Sequence, residues 1–196
     1  MFCDFKRLVL FVIILLTLVG CVGVDSKTYY AGYYDQKLFD QRLAASKSTL
    51  SQQELLDETK LAEQGNAKAQ LLVGLYYLTG SPSPVIADLV KAIYWVRRSA
   101  QQGNPDGQRW LGSLYRFGIG VPQDSSQELF WYTKAAESGD HIAQNILGFK
   151  YFYGVGVSYD NNRALEFWKK SANSGNVTAK THLDNYYKQL QEQNNR

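Results

Sequence analysis

The sequence predicts an all-α solenoid built from antiparallel helix pairs. Three observations predict this fold class: glycine–Asx pairs recur at a near-constant interval, aspartates recur at the same interval, and glycines recur inside the apolar segments between them. The interval of about 36 residues has room for two helices and their turns. We expect about three full repeats, preceded by an N-terminal half-repeat and followed by a C-terminal capping helix.

The first recurring element is the glycine–Asx pair, which returns after 38, 36 and 36 residues. Glycine readily adopts the left-handed conformation that ends a helix. The Asx side chain can then accept backbone N–H groups at the start of the next helix. We expect each pair to end one repeat and begin the next, and the four pairs are Gly65–Asn66, Gly103–Asn104, Gly139–Asp140 and Gly175–Asn176.

The second helix of each repeat is predicted to start at an aspartate, a favoured N-cap residue. These aspartates, spaced 36 residues apart, are Asp88, Asp124 and Asp160. An aromatic residue and then a small residue follow at helical spacing, which predicts a core column formed by Trp95, Trp131 and Phe167 with Ala100, Ala136 and Ala172. The two extra residues of the first unit lie in its loop, between Gly80 and Asp88.

A glycine also lies inside the first helix of each repeat, at positions 74, 112 and 148. A glycine inside a helix costs about 1 kcal/mol relative to alanine, so its repetition predicts close contact with a neighbouring helix. The last helix, from Val177 to about Gln191, has Asp184 at this position and is predicted to be the terminal cap. At the other end, Ser51 and Glu54 have the spacing of a capping box.

One sequence pattern combines these features in the third unit. Its residues are Ala143, Gln144, Leu147, Gly148, Tyr151, Gly154, Gly156, Val157, Asp160, Ala164 and Ala172. This pattern resembles the Sel1-like repeat, a branch of the tetratricopeptide superfamily, and the resemblance extends from about Leu55 to Leu190. The first unit departs from the pattern because its proline-containing loop lacks Gly-x-Gly-Val. The resemblance implies a right-handed superhelical solenoid that binds another protein and catalyses no reaction.

The N-terminal segment predicts export. Lys6 and Arg7 precede twelve mostly apolar residues, 8–19, a length typical of a signal peptide and short for a membrane span. Residues 18–21 (LVGC) resemble the lipobox of bacterial lipoproteins, which implies a signal peptide over 1–20 and lipidation of Cys21. We expect a lipidated tether over 21–35 and the repeat domain over 36–196. Val22, where an aspartate would signal inner-membrane retention, implies the outer membrane, facing the periplasm.

Composition and motifs argue against several classes of function. The net charge of +3 comes from 21 basic and 18 acidic residues without a basic run, so nucleic acid is not expected as a partner. Removal of Cys3 and lipidation of Cys21 would leave the repeat domain without a thiol. His141 falls in a helix first turn and His182 in a core column. We therefore expect no catalytic residue, no metal ligand and no small-molecule cofactor.

The first helices contain one column, at i, i+4 and i+7, that the repeat pattern does not require. Its residues change from leucine in the first unit to arginine and then phenylalanine, and arginine and aromatic residues are enriched at interaction hot spots. An alternative is that the Leu and Phe residues pack between units and only the arginines face solvent. The predicted partner-binding groove comprises Arg109, Ser113, Arg116, Asn145, Phe149 and Phe152.

Three functions remain open at this point. The expected one is an adaptor or scaffold that is anchored to the membrane by lipid and binds another, unidentified protein. The second is an immunity-type lipoprotein that neutralises a toxin in the periplasm. The third is an accessory factor for a cell-envelope enzyme.

Overall fold

The computed structural model describes residues 51–79 and 88–194, and within these ranges the chain forms eight α-helices and no strand. The predicted signal peptide, Cys21, the tether and the loop before Asp88 lie outside the described residues. No helix of the described ranges is both long and apolar enough to cross a membrane. The helices are α1 (Gln52–Glu63), α2 (Ala67–Thr79), α3 (Leu89–Gln101), α4 (Pro105–Phe117), α5 (Ser125–Glu137), α6 (His141–Tyr153), α7 (Asn161–Asn173) and α8 (Val177–Asn194).

Helices that follow one another in the chain pack against each other, and α2 also contacts α4. The full repeats are the pairs α2–α3, α4–α5 and α6–α7. Helix α1 corresponds to the second helix of a repeat, and α8 corresponds to the first helix of a repeat. The predicted all-α solenoid of helix pairs is confirmed.

The four glycine–Asx pairs both end one helix and begin the next. Each glycine has a positive φ, between 84° and 97°, which side chains with a Cβ rarely adopt. Its N–H donates to the carbonyl three residues back, and the Asx N–H donates to the carbonyl five residues back, which is the Schellman pattern. The Asx side chain then caps the following helix; for example, Asn104 Oδ1 accepts from Gly107 N at 3.0 Å.

The predicted aspartate caps of the second helices are also confirmed. The carboxylates of Asp88 and Asp160 accept backbone N–H groups in the first turns of α3 and α7, as does that of Asp124 in α5. The backbone N–H of each aspartate donates to the carbonyl of a tyrosine near the end of the preceding helix, namely Tyr77, Tyr115 and Tyr151. These bonds connect the two helices of each repeat.

The contact glycines face large buried side chains of the second helices. A Cβ at Gly74 would lie 2.7 Å from Val96 Cγ2, a Cβ at Gly112 would lie 3.0 Å from the Tyr132 ring, and a Cβ at Gly148 would overlap the indole of Trp168. The predicted core column, Trp95, Trp131 and Phe167, is therefore corrected by one residue. Trp95 is buried, but Trp131 and Phe167 are half-buried, since the next residue, one step of 100° around the helix, faces the glycine.

A glutamine in each first helix connects it to the preceding repeat. The side-chain Nε2 of Gln70, Gln108 and Gln144 donates to an alanine carbonyl eight residues back, at 2.9, 3.4 and 3.1 Å respectively. All three glutamines are buried. Each of these carbonyls, at the ends of α1, α3 and α5, also accepts the N–H of the glycine three residues on, so the glutamine adds a second donor at the helix end.

Candidate partner-binding face and a charged junction

Arg109 is buried, with 6% of its surface exposed. Its Nε donates to Asp140 Oδ2 at 2.8 Å, and its guanidinium also pairs with Asp106. Because Asp140 also caps α6 through Ala143 N, this ion pair connects α4 to the next repeat. Burial alone would lower the pKa of Arg109, but the two carboxylates outweigh it and raise the pKa. Arg109 thus helps to hold the second and third repeats together.

The other two predicted groove residues of α4 also have partners within the protein. The hydroxyl oxygens of Ser113 and Tyr132 are 3.0 Å apart, and Ser113 is buried. Arg116 Nη1 donates to Glu128 Oε1 at 3.0 Å. The expectation that the arginines face solvent is corrected, because the side chains of Arg109 and Arg116 are only 7% and 13% exposed. Their predicted part in partner binding stays a prediction.

The predicted groove residues of α6 remain partly accessible. Asn145, Phe149 and Phe152 are half-buried. The Phe149 ring lies 4.4 Å from the Tyr153 ring, and the Phe152 ring lies 4.9 Å from it. Tyr153 itself is 39% exposed. We call Phe149, Phe152 and Tyr153 the aromatic face.

In the first unit, the leucines of the same column pack between helices, as the alternative expected. Leu75 and Leu78 belong to a buried cluster with residues of α3 and α4, and Leu71 packs against that cluster. In the third repeat, Phe152 packs 5.0 Å from Trp168, and its ring lies 6.1 Å from Tyr186 of α8. Phe152 is therefore covered on the side of α7 and α8, and it stays half-buried, as does Phe149.

Two buried charged residues were not singled out by the sequence analysis. Glu128 is 5% exposed and Lys150 is 3% exposed. Lys150 Nζ lies 2.8 Å from Glu128 Oε1, the same oxygen that accepts from Arg116, and Lys150 also donates to the Val155 carbonyl at 3.3 Å. We call Arg116, Glu128 and Lys150 the charged junction, because it connects α4, α5 and α6.

A signal for the charged junction is present in the repeat pattern. The position of Glu128 is alanine in the other two repeats, at Ala92 and Ala164, and both alanines are fully buried. The position of Lys150 is Leu114 in the preceding repeat. Glu128 in the second repeat and Lys150 in the third each occupy a position that is apolar and buried in another repeat. A buried carboxylate and a buried ammonium group need partners of opposite charge, and these two can pair with each other.

Both histidines are held in contacts between helices. Asn176 Nδ2 lies 3.3 Å from His141 Nδ1, and the His182 ring stacks 4.8 Å from Trp168 at an interplanar angle of 22°. Burial lowers the pKa of His182. In the described ranges, no group of three His, Cys, Asp or Glu residues is placed to hold a metal ion. The aromatic face offers rings rather than reactive groups.

These helix pairs, caps and contact glycines define a helical-repeat solenoid. A family model described as Sel1 repeat matches residues 67–104, 105–140 and 141–176. The three matches coincide with α2–α3, α4–α5 and α6–α7 and cover more than half of the chain. The chain belongs to the Sel1 repeat family, whose members are generally protein-interaction scaffolds.

Solved structures similar to this chain have the same fold. A Sel1 repeat protein from Oxalobacter formigenes is 36% identical, over 67% of this chain and 98% of that protein, with a TM-score of 0.62. A protective antigen of uropathogenic Escherichia coli, which displays an SLR fold, is 38% identical over 64% of this chain and 26% of the antigen, with a TM-score of 0.60. Helicobacter pylori cysteine rich protein B is 25% identical over 66% of this chain and 95% of that protein, with a TM-score of 0.51.

Proposed function

We propose that this chain is a non-enzymatic scaffold that is held at the bacterial cell envelope by lipid on Cys21 and binds another protein through the aromatic face. The family supports the scaffold role. The lipobox-like residues 18–21 support the anchor, and Val22 supports a place in the outer membrane, facing the periplasm.

The exposure of Tyr153 is the observation that carries the proposed binding surface. The equivalent positions in the other units hold Thr79, Phe117 and Gln189, so the repeat does not require a ring there. Tyr153 is nevertheless 39% exposed and contacts both Phe149 and Phe152. An exposed ring that is held by two neighbouring rings loses little conformational entropy on binding, and aromatic anchors of this kind dominate many interfaces.

The partner best suited to this face presents apolar side chains. Phe149 and Phe152 are half-buried, and their inner edges already contact His182 and Trp168. A partner would therefore cover the outer edges of the rings together with Tyr153. Such a contact would bury aromatic area that the fold leaves in water, which favours association.

The test compares two exposed tyrosines in the full-length protein, solubilised from envelopes in detergent. Tyr153→Ser should weaken binding of the captured partner by at least about tenfold, equivalent to ~1.4 kcal/mol. Tyr159→Ser is the matched control, because Tyr159 is 66% exposed and lies outside the aromatic face. The melting temperature should change little in either variant. If the two variants bind the partner equally well, the aromatic face is not the binding surface.

The same preparation tests the anchor. Cys21→Ser should lose fatty-acid labelling and leave the membrane fraction, because stable attachment needs two or more acyl chains. A variant that remains as membrane-bound as the wild type would contradict lipid anchoring. That result would leave the binding test unaffected, since it is carried out in detergent.

A further inference from the structure

The second helices expose one column of residues to solvent. Its members in α1, α3 and α5 are Leu56, Tyr94 and Phe130, which are 50%, 51% and 49% exposed. The equivalent residue of α7 is Glu166, whose side chain is 62% exposed. Because a glutamate takes this place in one repeat, the fold does not require an apolar residue in this column. Leu56 and the exposed part of the Tyr94 ring, whose hydroxyl accepts from Arg98 Nη1 at 2.9 Å, are therefore available for a contact outside the chain.

The two helices that carry Leu56 and Tyr94 have opposite charges. Helix α1 contains four acidic residues and one lysine, a net charge of −3. Helix α3 contains three basic residues and no acidic residue, a net charge of +3. The ion pairs Lys60–Asp57 and Lys91–Asp88 stay within α1 and within α3 and its cap, and among the described residues none joins α1 to α3. Leu56 thus lies on a helix with a net negative charge, and Tyr94 lies on a helix with a net positive charge.

We propose that two copies of this chain associate through α1 and α3 about a two-fold axis that runs along the helices between them. The rotation places the acidic α1 of each copy against the basic α3 of the other, so one complementary contact forms twice. Leu56 of one copy then meets Tyr94 of the second copy. An arrangement that placed α1 on α1 would bring like charges together, which disfavours it.

The proposed dimer has two consequences. Helices of 12 and 13 residues are only ~20 Å long, so the contact is small and the dimer is weak and sensitive to salt. None of the residues of the aromatic face belongs to α1 or α3. The dimer therefore leaves both aromatic faces open, and the pair could engage a partner at two sites, with a gain in avidity.

Disulfide cross-linking tests the predicted pairing. Two differently tagged full-length copies, both with Cys3 and Cys21 replaced by serine, are mixed in detergent at low salt, one carrying Leu56→Cys and the other Tyr94→Cys. We expect a mixed disulfide between them. The control pairs Leu56→Cys with Glu166→Cys, whose position lies in the same exposed column but outside the proposed contact. The proposal would be overturned if the yield of the mixed disulfide is no higher than in the control. It would also be overturned if two Leu56→Cys copies form a disulfide with each other in equal yield.

Charge reversal separates this contact from random collision. Asp57→Lys with Glu63→Lys in the Leu56→Cys copy should lower the mixed yield about tenfold, and so should Lys91→Glu with Arg97→Glu in the Tyr94→Cys copy. Combining the two reversed copies should restore the yield, since opposite charges face each other again. All four residues are exposed, and unchanged melting temperatures confirm that the variants fold. Failure of the combination to restore the yield would also overturn the proposal.

Discussion

The junction between the first and second repeats is apolar, whereas the equivalent junction between the second and third repeats is charged. Leu78, Ala92 and Leu114 form part of one buried cluster at the first junction. The residues at the same repeat positions one unit later are those of the charged junction, Arg116, Glu128 and Lys150. Both junctions are flanked by the same caps, the same glutamine bonds and the same contact glycines.

The comparison shows which parts of a repeat are interchangeable. The caps, the glutamine bonds and the contact glycines must recur in every repeat. Each of them either supplies a hydrogen-bond partner at a helix end or lets two helices approach closely. The residues enclosed at a junction need only fill the space and pair their charges. A buried ion pair adds little net stability compared with apolar packing, but removing one member leaves a buried charge without its partner.

The largest expected effect comes from breaking the charged junction. Glu128→Ala should cost ~3–5 kcal/mol of unfolding free energy, because Lys150 stays enclosed without its carboxylate. Chemical denaturation measures this cost. The control is Glu137→Ala in the same helix, whose side chain is 61% exposed and whose loss should cost less than ~0.5 kcal/mol. Equal costs for the two variants would mean that Glu128 does not hold the junction together.

A double variant sharpens the same comparison. Glu128→Ala with Lys150→Leu gives the second junction the alanine and leucine that the first one has at these positions. We expect it to recover most of the stability that Glu128→Ala loses, since no buried lysine remains unpaired. Arg116 remains, but it is the most exposed member of the junction and can turn towards solvent. If the double variant is as unstable as the single one, the apolar and charged junctions are not interchangeable.

The contact glycines provide a second, smaller difference between repeats. Gly148→Ala should be destabilising by ~1–2 kcal/mol, because the new Cβ overlaps the Trp168 indole, and overpacking outweighs the ~1 kcal/mol gain in helix propensity. Gly112→Ala should be closer to neutral, since its Cβ meets the Tyr132 ring at 3.0 Å and a small shift of that ring relieves the contact. Thermal melts of the two variants measure the difference. A reversed order would mean that the Trp168 ring moves aside more easily than that of Tyr132.

The fold could be predicted from the sequence because the helix caps and contact glycines that define it are local sequence features that recur in every repeat. Gly103 with Asn104, for example, ends one helix and caps the next whatever surrounds it. The partner-binding groove was harder to predict than the fold. The exposure of a column of residues on a stacked helix depends on which side chains of the next repeat pack over it. Arg109 lies in the predicted column, but its partner Asp140 is 31 residues away and encloses it. Glu128 was detectable as a break in an alanine column.

The smallest expected effect is a pH dependence at the C-terminal end, where α8 packs on α7. Burial lowers the pKa of His182 below its ordinary value of 6.5, so the folded protein favours the neutral imidazole. The unfolded chain then takes up the proton first as the pH falls. Stability from this group is complete above pH 6.5 and declines as the pH falls through the folded-state pKa.

The stacking of His182 on Trp168 makes this prediction a test of which force dominates. A protonated ring over an indole face is favoured by cation–π attraction, which acts against the effect of burial. If burial dominates, the wild type loses more stability than His182→Gln when the pH is lowered from 7.5 to 5.5. If the indole face dominates, the wild type loses less than the variant over the same range, and the assignment of the shift to burial is wrong. Denaturant midpoints of the two proteins at both pH values decide between these outcomes, because glutamine does not titrate and the comparison cancels every contribution that the two proteins share.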